Sequence, residues 1–427
     1  MQLQSAQAGQ NSHGSGNEHS AGALMALVPS RQATHRAVRN GAWNDPATWS
    51  SRQVPGGGDK VFIPAGRTVS YNRDSSEALQ WVRVDGRLRF ATARDTKLTL
   101  DTFVVTPDGE IEIGSDRNPV RAQNSAQIVF TTDGALDSRT DPQRLGRGII
   151  SHGTVEIVGA DKLDHVALRR DARKGDRELV LDLPNGQDRP RGWQVGDKLV
   201  LGGTDISLQG NNQNNSRFQD EVLTITSIQG NRIRFTNDDI RNGNRRVLRF
   251  DHSRPEHLRD EVDLYVANIS RNVSFSSQNG KTVPTQRRAH AMFMHNPDVT
   301  IKNAGFYDLG RTNKRRPIDD PGHNIDGSVG RGTNPRGRYG LHIHKTGVNP
   351  GDGSVTVKGN AVVGSPGWGI VQHESKGIFS DNVVFDVVGA GFVTESGNES
   401  GWWINNIAIK TTGDGSPAVD PAVLARV

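Results

Sequence analysis

Residues 82–90 read Val82-Arg83-Val84-Asp85-Gly86-Arg87-Leu88-Arg89-Phe90, two half-strands of period two with a glycine between them. Apolar side chains at every second position line one face of a strand, and glycine lets the chain turn or approach its neighbour where the halves meet. The same shape recurs as Val105 through Gly109 to Ile111 and Ile113, and as Gly153-Thr154-Val155-Glu156-Ile157. Gly66, Gly86, Gly109, Gly134 and Gly153 follow at intervals of 20, 23, 25 and 19 residues, close to one coil of a parallel β-helix. The expected fold class is all-β, a right-handed parallel β-helix with a small inserted β-barrel. A β-sandwich competes with it, because some strands also recur within a coil at the roughly 8 to 12 residues usual for sandwiches.

Working outward, residues 1–40, with His13-Gly14-Ser15-Gly16-Asn17, read as a flexible leader. Ala21 to Val28 is too short for a bilayer span and has no basic flank before it. Residues 41–160 hold the first solenoid coils. Residues 161–250 break the rhythm: Gly192-Trp193 and Val195-Gly196-Asp197 lead into Lys198 to Leu201, and Glu221 to Ile228 is followed by Ile233 to Phe235. These are the strands assigned to the barrel, with a glutamine- and asparagine-rich loop from Gln209 to Ser216 between them.

The coils resume over residues 251–427, in Val273-Ser274-Phe275, Val299-Thr300-Ile301 and Val355-Thr356-Val357. Asn360, Asn382 and Asn406 lie 22 and 24 residues apart, a spacing that suits either a stacked amide ladder or asparagines tolerated in left-handed turns. An excursion from Tyr307 to Gly337 carries basic residues and prolines without an apolar period. No capping element precedes Val427, so the solenoid is expected to continue in a longer protein.

The 427 residues include no cysteine, which excludes disulfides, thiolate metal sites and cysteine nucleophiles. Hydrophobic residues are 33% of the chain, but the alternating strands separate it from disordered sequences. A formal charge of +5 rests on basic loops such as Lys314-Arg315-Arg316 and Arg245-Arg246, which either attract an acidic polymer or are simply solvated. With no basic heptad helix, cysteine zinc motif or aromatic-rich basic strand, nucleic acid is not the expected partner.

Chemistry-bearing residues gather in the second solenoid stretch: His290, His295, Tyr339, His342-Ile343-His344 and His373-Glu374. Positions two apart in a strand point the same way, so His342 and His344 present two imidazoles together. Stacking of coils at about 5 Å lets His290, His344 and His373 approach one another. Such imidazoles suit a divalent metal ion or a proton donor, with His342, His344 and His373 as the ligand candidates. Glycoside hydrolysis needs two carboxyl groups about the scissile bond. The acids at similar phases are Asp308, Glu374, Asp386, Glu395 and Glu399, with Asp308 and Glu395 preferred. Arg311, Arg336 and Arg338 are candidates to neutralise a uronate carboxylate, and Tyr339, Trp368 and Trp402-Trp403 to contact sugar rings.

Gly41-Ala42-Trp43, Thr48-Trp49, Val54-Pro55-Gly56, Gly58-Asp59 and Ile63-Pro64-Ala65-Gly66 through Val69 resemble the domain named for its eight glycines. His290-Ala291-Met292-Phe293-Met294-His295, Tyr339-Gly340-Leu341-His342-Ile343-His344 and Gly391-Phe392-Val393-Thr394-Glu395 look like the β-helix that follows that domain in the cell-surface and cell-migration-inducing hyaluronidases and their bacterial relatives. The resemblance covers nearly everything after residue 40. It implies an extracellular or cell-surface protein acting on an acidic polysaccharide such as hyaluronan, with the histidine-bearing strands lining the cleft. Expected is a monomeric glycosidase with catalytic candidates His290, Asp308, His342, His344, His373 and Glu395. A polysaccharide lyase on the same scaffold and a non-catalytic glycan-binding or adhesion module remain the alternatives.

Overall fold

The computed structural model describes residues 21–208, 216–240, 242–324 and 326–413. The first twenty residues of the expected leader, the loop stretch 209–215 and the chain after 413 lie outside the described residues. The chain winds as a parallel β-helix with three faces. The first face runs through Lys60–Ile63, Asp74–Val84, Thr96–Val105, Gly148–Ser151, His290–Met294, Leu341–Gly347, Ile370–Ser380 and Phe392–Thr394, each parallel to the next. A second face stacks Thr68–Tyr71, Arg87–Phe90, Glu110–Ile113, Thr154–Val158, Val299–Lys302 and Val355–Lys358. The third includes Ala126–Phe130, Val273–Ser277, Ala304–Tyr307, Ala361–Val363 and Val383–Val387. Parallel pairing on every face excludes the sandwich, whose neighbouring strands are antiparallel.

The alternation in residues 82–90 sorts as its period requires. Val82, Val84 and Leu88 are buried, while Arg87 and Arg89 point outward and pair with Glu110 and Glu112 of the next coil. Register then places like on like: Val61, Val82, Phe103, Ile149 and Ala291 occupy one row through five coils. Each large side chain so buried contributes roughly 1.5–3 kcal/mol.

Gly109 and Gly153 are required by close approach and not by a left-handed backbone. A Cβ on Gly109 would lie 2.2 Å from the carbonyl oxygen of Val84, and one on Gly153 would lie 2.2 Å from that of Gly109. In the later coils, left-handed residues do make the corner between second and third faces, at Asn303, Gly359, Asp381 and Asn405. The residue after each of the last three is Asn360, Asn382 or Asn406. Asn360 Nδ2 donates to Asn382 Oδ1 at 3.1 Å, and Asn382 Nδ2 to Asn406 Oδ1 at 2.9 Å, so the amides form the ladder. Each Nδ2 also donates to a main-chain carbonyl, of Ile301, Val357 and Phe379 in turn.

Two features differ from expectation. Residues 21–40 are not a loose leader: helix Ala21–Leu27 packs Leu24, with Val28 just beyond it, on the outer side of the first face against Phe62, Trp81, Val104, Ile150 and Met292. Those outward apolar side chains need a cover, since a contiguous apolar patch of that kind is costly to expose. His35–Arg36 then adds a strand beside Val61 and Phe62. The inserted antiparallel sheet runs past residue 250. Its order is His165–Ala167, Tyr265–Asn268, Lys198–Leu201, Glu221–Gln229, Arg232–Asn237, Glu178–Val180. A bridge between Leu168 and Leu181 joins the outer strands and closes the barrel. Tyr265–Asn268 is needed because it pairs with both His165–Ala167 and Lys198–Leu201.

Asn382→Ala removes the acceptor of the Asn360 main-chain N–H and the side-chain hydrogen bonds to Asn360 Nδ2, Asn406 Oδ1 and the Val357 carbonyl, and should destabilise the solenoid by about 2–3 kcal/mol. Urea unfolding followed by tryptophan fluorescence measures this, and an unchanged midpoint would show that the ladder contributes nothing.

Candidate functional site

Excursions 131–147, 278–289 and 308–340 all leave the helix between its third and first faces, and all re-enter at the first. They stand along one edge of that face's outer side. Beyond the coils covered by the N-terminal helix, the outward positions change from apolar to ionisable. Leu341 and Ile343 enter the core, so His342 and His344 point out. Register sets His344 beside Met294 on one side and His373 on the other. In the next coil Thr394 pairs with Gln372, and the amide of Glu395 donates to the Gln372 carbonyl at 3.0 Å, which brings Glu395 alongside His373.

One ligating atom from each of His342, His344 and His373 lies within 4.8 Å of the other two. Glu395 Oε2 is 3.6 Å from His342 Nε2 and 3.4 Å from His373 Nδ1. On the far edge of the His373 ring, Nε2 is 3.5 Å from Glu374 Oε1, which also faces Lys345. His342 Nδ1 lies 2.9 Å from the carbonyl oxygen of Gly337. A carbonyl only accepts, so Nδ1 carries the proton and the Nε2 lone pair faces Glu395. Both His342 Nε2 and Glu395 Oε2 are buried without a hydrogen-bond partner. Burial, and then the neighbouring His373, lower the His342 pKa to about 3. Burial raises Glu395 to about 7 against the opposing pull of Lys314 and Arg336, with Glu399 and Glu374 adding to the rise.

Lys314 is not among the site residues expected from sequence, although its basic loop is a candidate to attract an acidic polymer. Within Lys314-Arg315-Arg316 it read as loop charge, yet the excursion folds its Nζ to 3.6 Å from the Trp368 ring centre and 5.8 Å from that of Tyr339. Trp368 and Tyr339 lie 4.8 Å apart, and Tyr339 is 5.2 Å from His342. Burial lowers the Lys314 pKa to about 8, although Glu395 pulls it upward. A cation held on aromatic faces keeps its charge in a partly desolvated place, where it attracts an anion strongly. No pattern in the local sequence announces this, since the aromatic partners are more than twenty residues away.

The remaining candidates are distributed differently. His290 shares the outer side of the first face, but its Nδ1 lies 3.1 Å from the Arg147 carbonyl and it stands outside the three-imidazole cluster. Asp308 is at the third face with Arg288, Lys281 and Asp386 around it, and is not brought to the histidines. Arg311 and Arg338 are buried, and their guanidiniums donate to the main-chain carbonyls of residues such as Arg144, Gly146, Arg147 and Gln143. They fasten excursion 308–340 to excursion 131–147, which leaves little of either guanidinium to meet a ligand. Arg336 pairs with Asp320 at 2.6 Å. Glu399 accepts from the amides of Glu374, Ser396 and Gly397, holding that turn. Trp403 stacks on Phe379 at the second face and Trp402 beside it is exposed, so neither joins the cluster. The Trp368 face, occupied by Lys314, is likewise not an open platform for a sugar ring.

Among the described residues no helix is long and apolar enough to cross a membrane. Among solved structures, the tailspike Gp54 of Acinetobacter baumannii bacteriophage AP22 is 11% identical with a TM-score of 0.18, covering 81% of this chain and 54% of that one. Fibrocystin of Canis lupus familiaris is 23% identical over 45% of this chain and 5% of its own length. A G8 domain-containing protein of Dictyostelium discoideum is 24% identical over 90% of this chain, and another is 23% identical over 95%. The chain spans about a quarter of the length of those two, 24% and 26%. Residues 48–168 match the family model of the G8 domain, and the likeness to G8 domain-containing proteins extends well past that segment.

Proposed function

We propose that this chain is the carbohydrate-active part of an extracellular or cell-surface protein and depolymerises an acidic polysaccharide, with hyaluronan as the substrate its sequence resemblance favours. One observation carries the reading: a desolvated ammonium, Lys314, and a buried carboxyl, Glu395, converge with three imidazoles on one sheltered strip of the first face. A long parallel face suits a polymer, since successive coils repeat at about 4.8 Å and offer contacts along its length.

In this reading Lys314 meets the uronate carboxylate. Trp368 and Tyr339 hold the ammonium in place and exclude water from it. Glu395 moves a proton at the glycosidic linkage. In hydrolysis it gives that proton to the departing oxygen as the bond from the anomeric carbon to that oxygen breaks, and water adds to the carbon while giving up a proton to a second carboxylate. Glu374, across the His373 ring from Glu395, is the carboxylate assigned to that second role. A lyase would instead remove the proton beside the uronate carboxylate and leave an unsaturated sugar.

Incubation with hyaluronan, chondroitin and alginate, followed by size-exclusion chromatography, should show shortening of a uronate-containing polymer. Absorbance of new unsaturated ends in the ultraviolet separates elimination from hydrolysis. If every polymer keeps its length while still binding, the chain is a binding module and the depolymerase reading fails. Glu395→Gln should lower the cleavage rate at least about 100-fold with polymer binding retained, as for loss of a proton-transfer group. Lys314→Met should act on recognition instead, raising KM for the uronate polymer by about tenfold or more with a smaller change in kcat. Equal loss in KM and kcat would place Lys314 elsewhere in the chemistry.

A further inference from the structure

The cluster on the first face has the composition of a metal centre. We propose that His342, His344 and His373 bind one divalent transition-metal ion of the zinc class, with Glu395 bordering the position they leave open. The inference rests on the same cleft as the proposed function, but it makes a claim about binding that needs no polysaccharide.

Three features carry it. The three ligating atoms lie within 4.8 Å of one another, a span that an ion with nitrogen ligands at about 2.0–2.1 Å closes by small side-chain rotations. Two strands supply them, His342 and His344 two apart on one and His373 in register on the next, so the main chain has already been ordered. A hydrogen bond at His342 and a carboxylate beside His373 orient those two rings as metal-ligating histidines require. His342 gives its Nδ1 proton to the Gly337 carbonyl and turns Nε2 inward, and His373 has Glu374 at Nε2 while Nδ1 faces Glu395.

A second, independent observation is the polarity left at the centre. His342 Nε2 and Glu395 Oε2 are buried, close to one another and without a hydrogen-bond partner. Such groups cost free energy unless something is coordinated between them. Imidazole nitrogens select zinc, copper, nickel or ferrous iron over calcium and magnesium, which prefer oxygen. Three nitrogen ligands also leave a tetrahedral ion one position for a substrate oxygen, and Glu395 stands beside it. His290, although on the same face, makes no part of the cluster and serves as an internal control.

The test is metal binding by the chain itself. After treatment with a chelator and removal of it, titration with Zn²⁺ by calorimetry and metal analysis of the dialysed protein should show one ion per chain. Excess Ca²⁺ or Mg²⁺ should not displace it, and Co²⁺ should give the visible absorption of a four-coordinate site. His344→Gln and His373→Gln should each weaken Zn²⁺ binding at least about tenfold, while His290→Gln should leave it unchanged. Circular dichroism separates loss of a ligand from loss of the fold. Should a variant not fold, the Co²⁺ spectrum of the unaltered chain decides alone. Absence of a stoichiometric ion, or binding unaffected by His344→Gln in a folded protein, overturns the proposal. Cleavage of polymer by a chain that takes up no ion in the titration overturns it and leaves the depolymerase reading standing. A bound ion without cleavage of any polymer does the reverse.

Discussion

The structure depends on one constraint, the register of parallel strands on the first face. Main-chain hydrogen bonds hold adjacent coils at about 4.8 Å, so each residue is committed to a row and each row to one side of the sheet. The same pairing that sets Val61, Val82, Phe103 and Ile149 in a continuous core row sets Met294, His344 and His373 in a continuous outer row. A slip of one residue in Leu341–Gly347 would turn both histidines into the core and Ile343 out. Core and site are therefore products of a single geometric decision, and neither can be altered at that strand without the other.

Insertions leave this register intact because each departs and returns at a corner. The barrel closes on its own core of Val166, Trp193, Leu199, Leu223 and Phe235 between a second-face strand and a third-face strand. Among its described residues excursion 308–340 forms no separate apolar core, and polar groups hold it instead. Arg311 and Arg338 give their donors to main-chain carbonyls of excursion 131–147, and burial, then Arg338, lower the Arg311 pKa to about 9. Buried charge of this kind specifies an arrangement more than it stabilises one. The arrangement specified is the one that carries Lys314 to Trp368 and Tyr339.

Much of the fold was legible because its physics is local. The alternation at residues 82–90 needs only the two-residue strand period, and the spacing of Asn360, Asn382 and Asn406 needs only the length of a coil. Gly109 and Gly153 were legible as positions but not as causes, since the crowding that excludes a side chain comes from carbonyls of Val84 and Gly109 in the coil before. The helix at Ala21–Leu27 carries no local sign that it docks, because its partners, Trp81, Val104 and Met292, lie from about 55 to 270 residues away. Of the acids, Asp308 and Glu395 looked equivalent in sequence. One follows a third-face strand and the other a first-face strand, and only the strand's place around the coil separates them.

By itself, then, the amino-acid sequence determined the class of fold, the length of a coil and the pairing of His342 with His344 on one side of a strand. These follow from side-chain alternation and turn chemistry, which act over a few residues. Tertiary structure alone decided which histidines meet, that Glu395 and Lys314 join them, and that Arg311 and Arg338 are spent on main-chain carbonyls. Those outcomes depend on how many residues each excursion and insertion places between coils, and that distance along the chain leaves no mark on the local pattern.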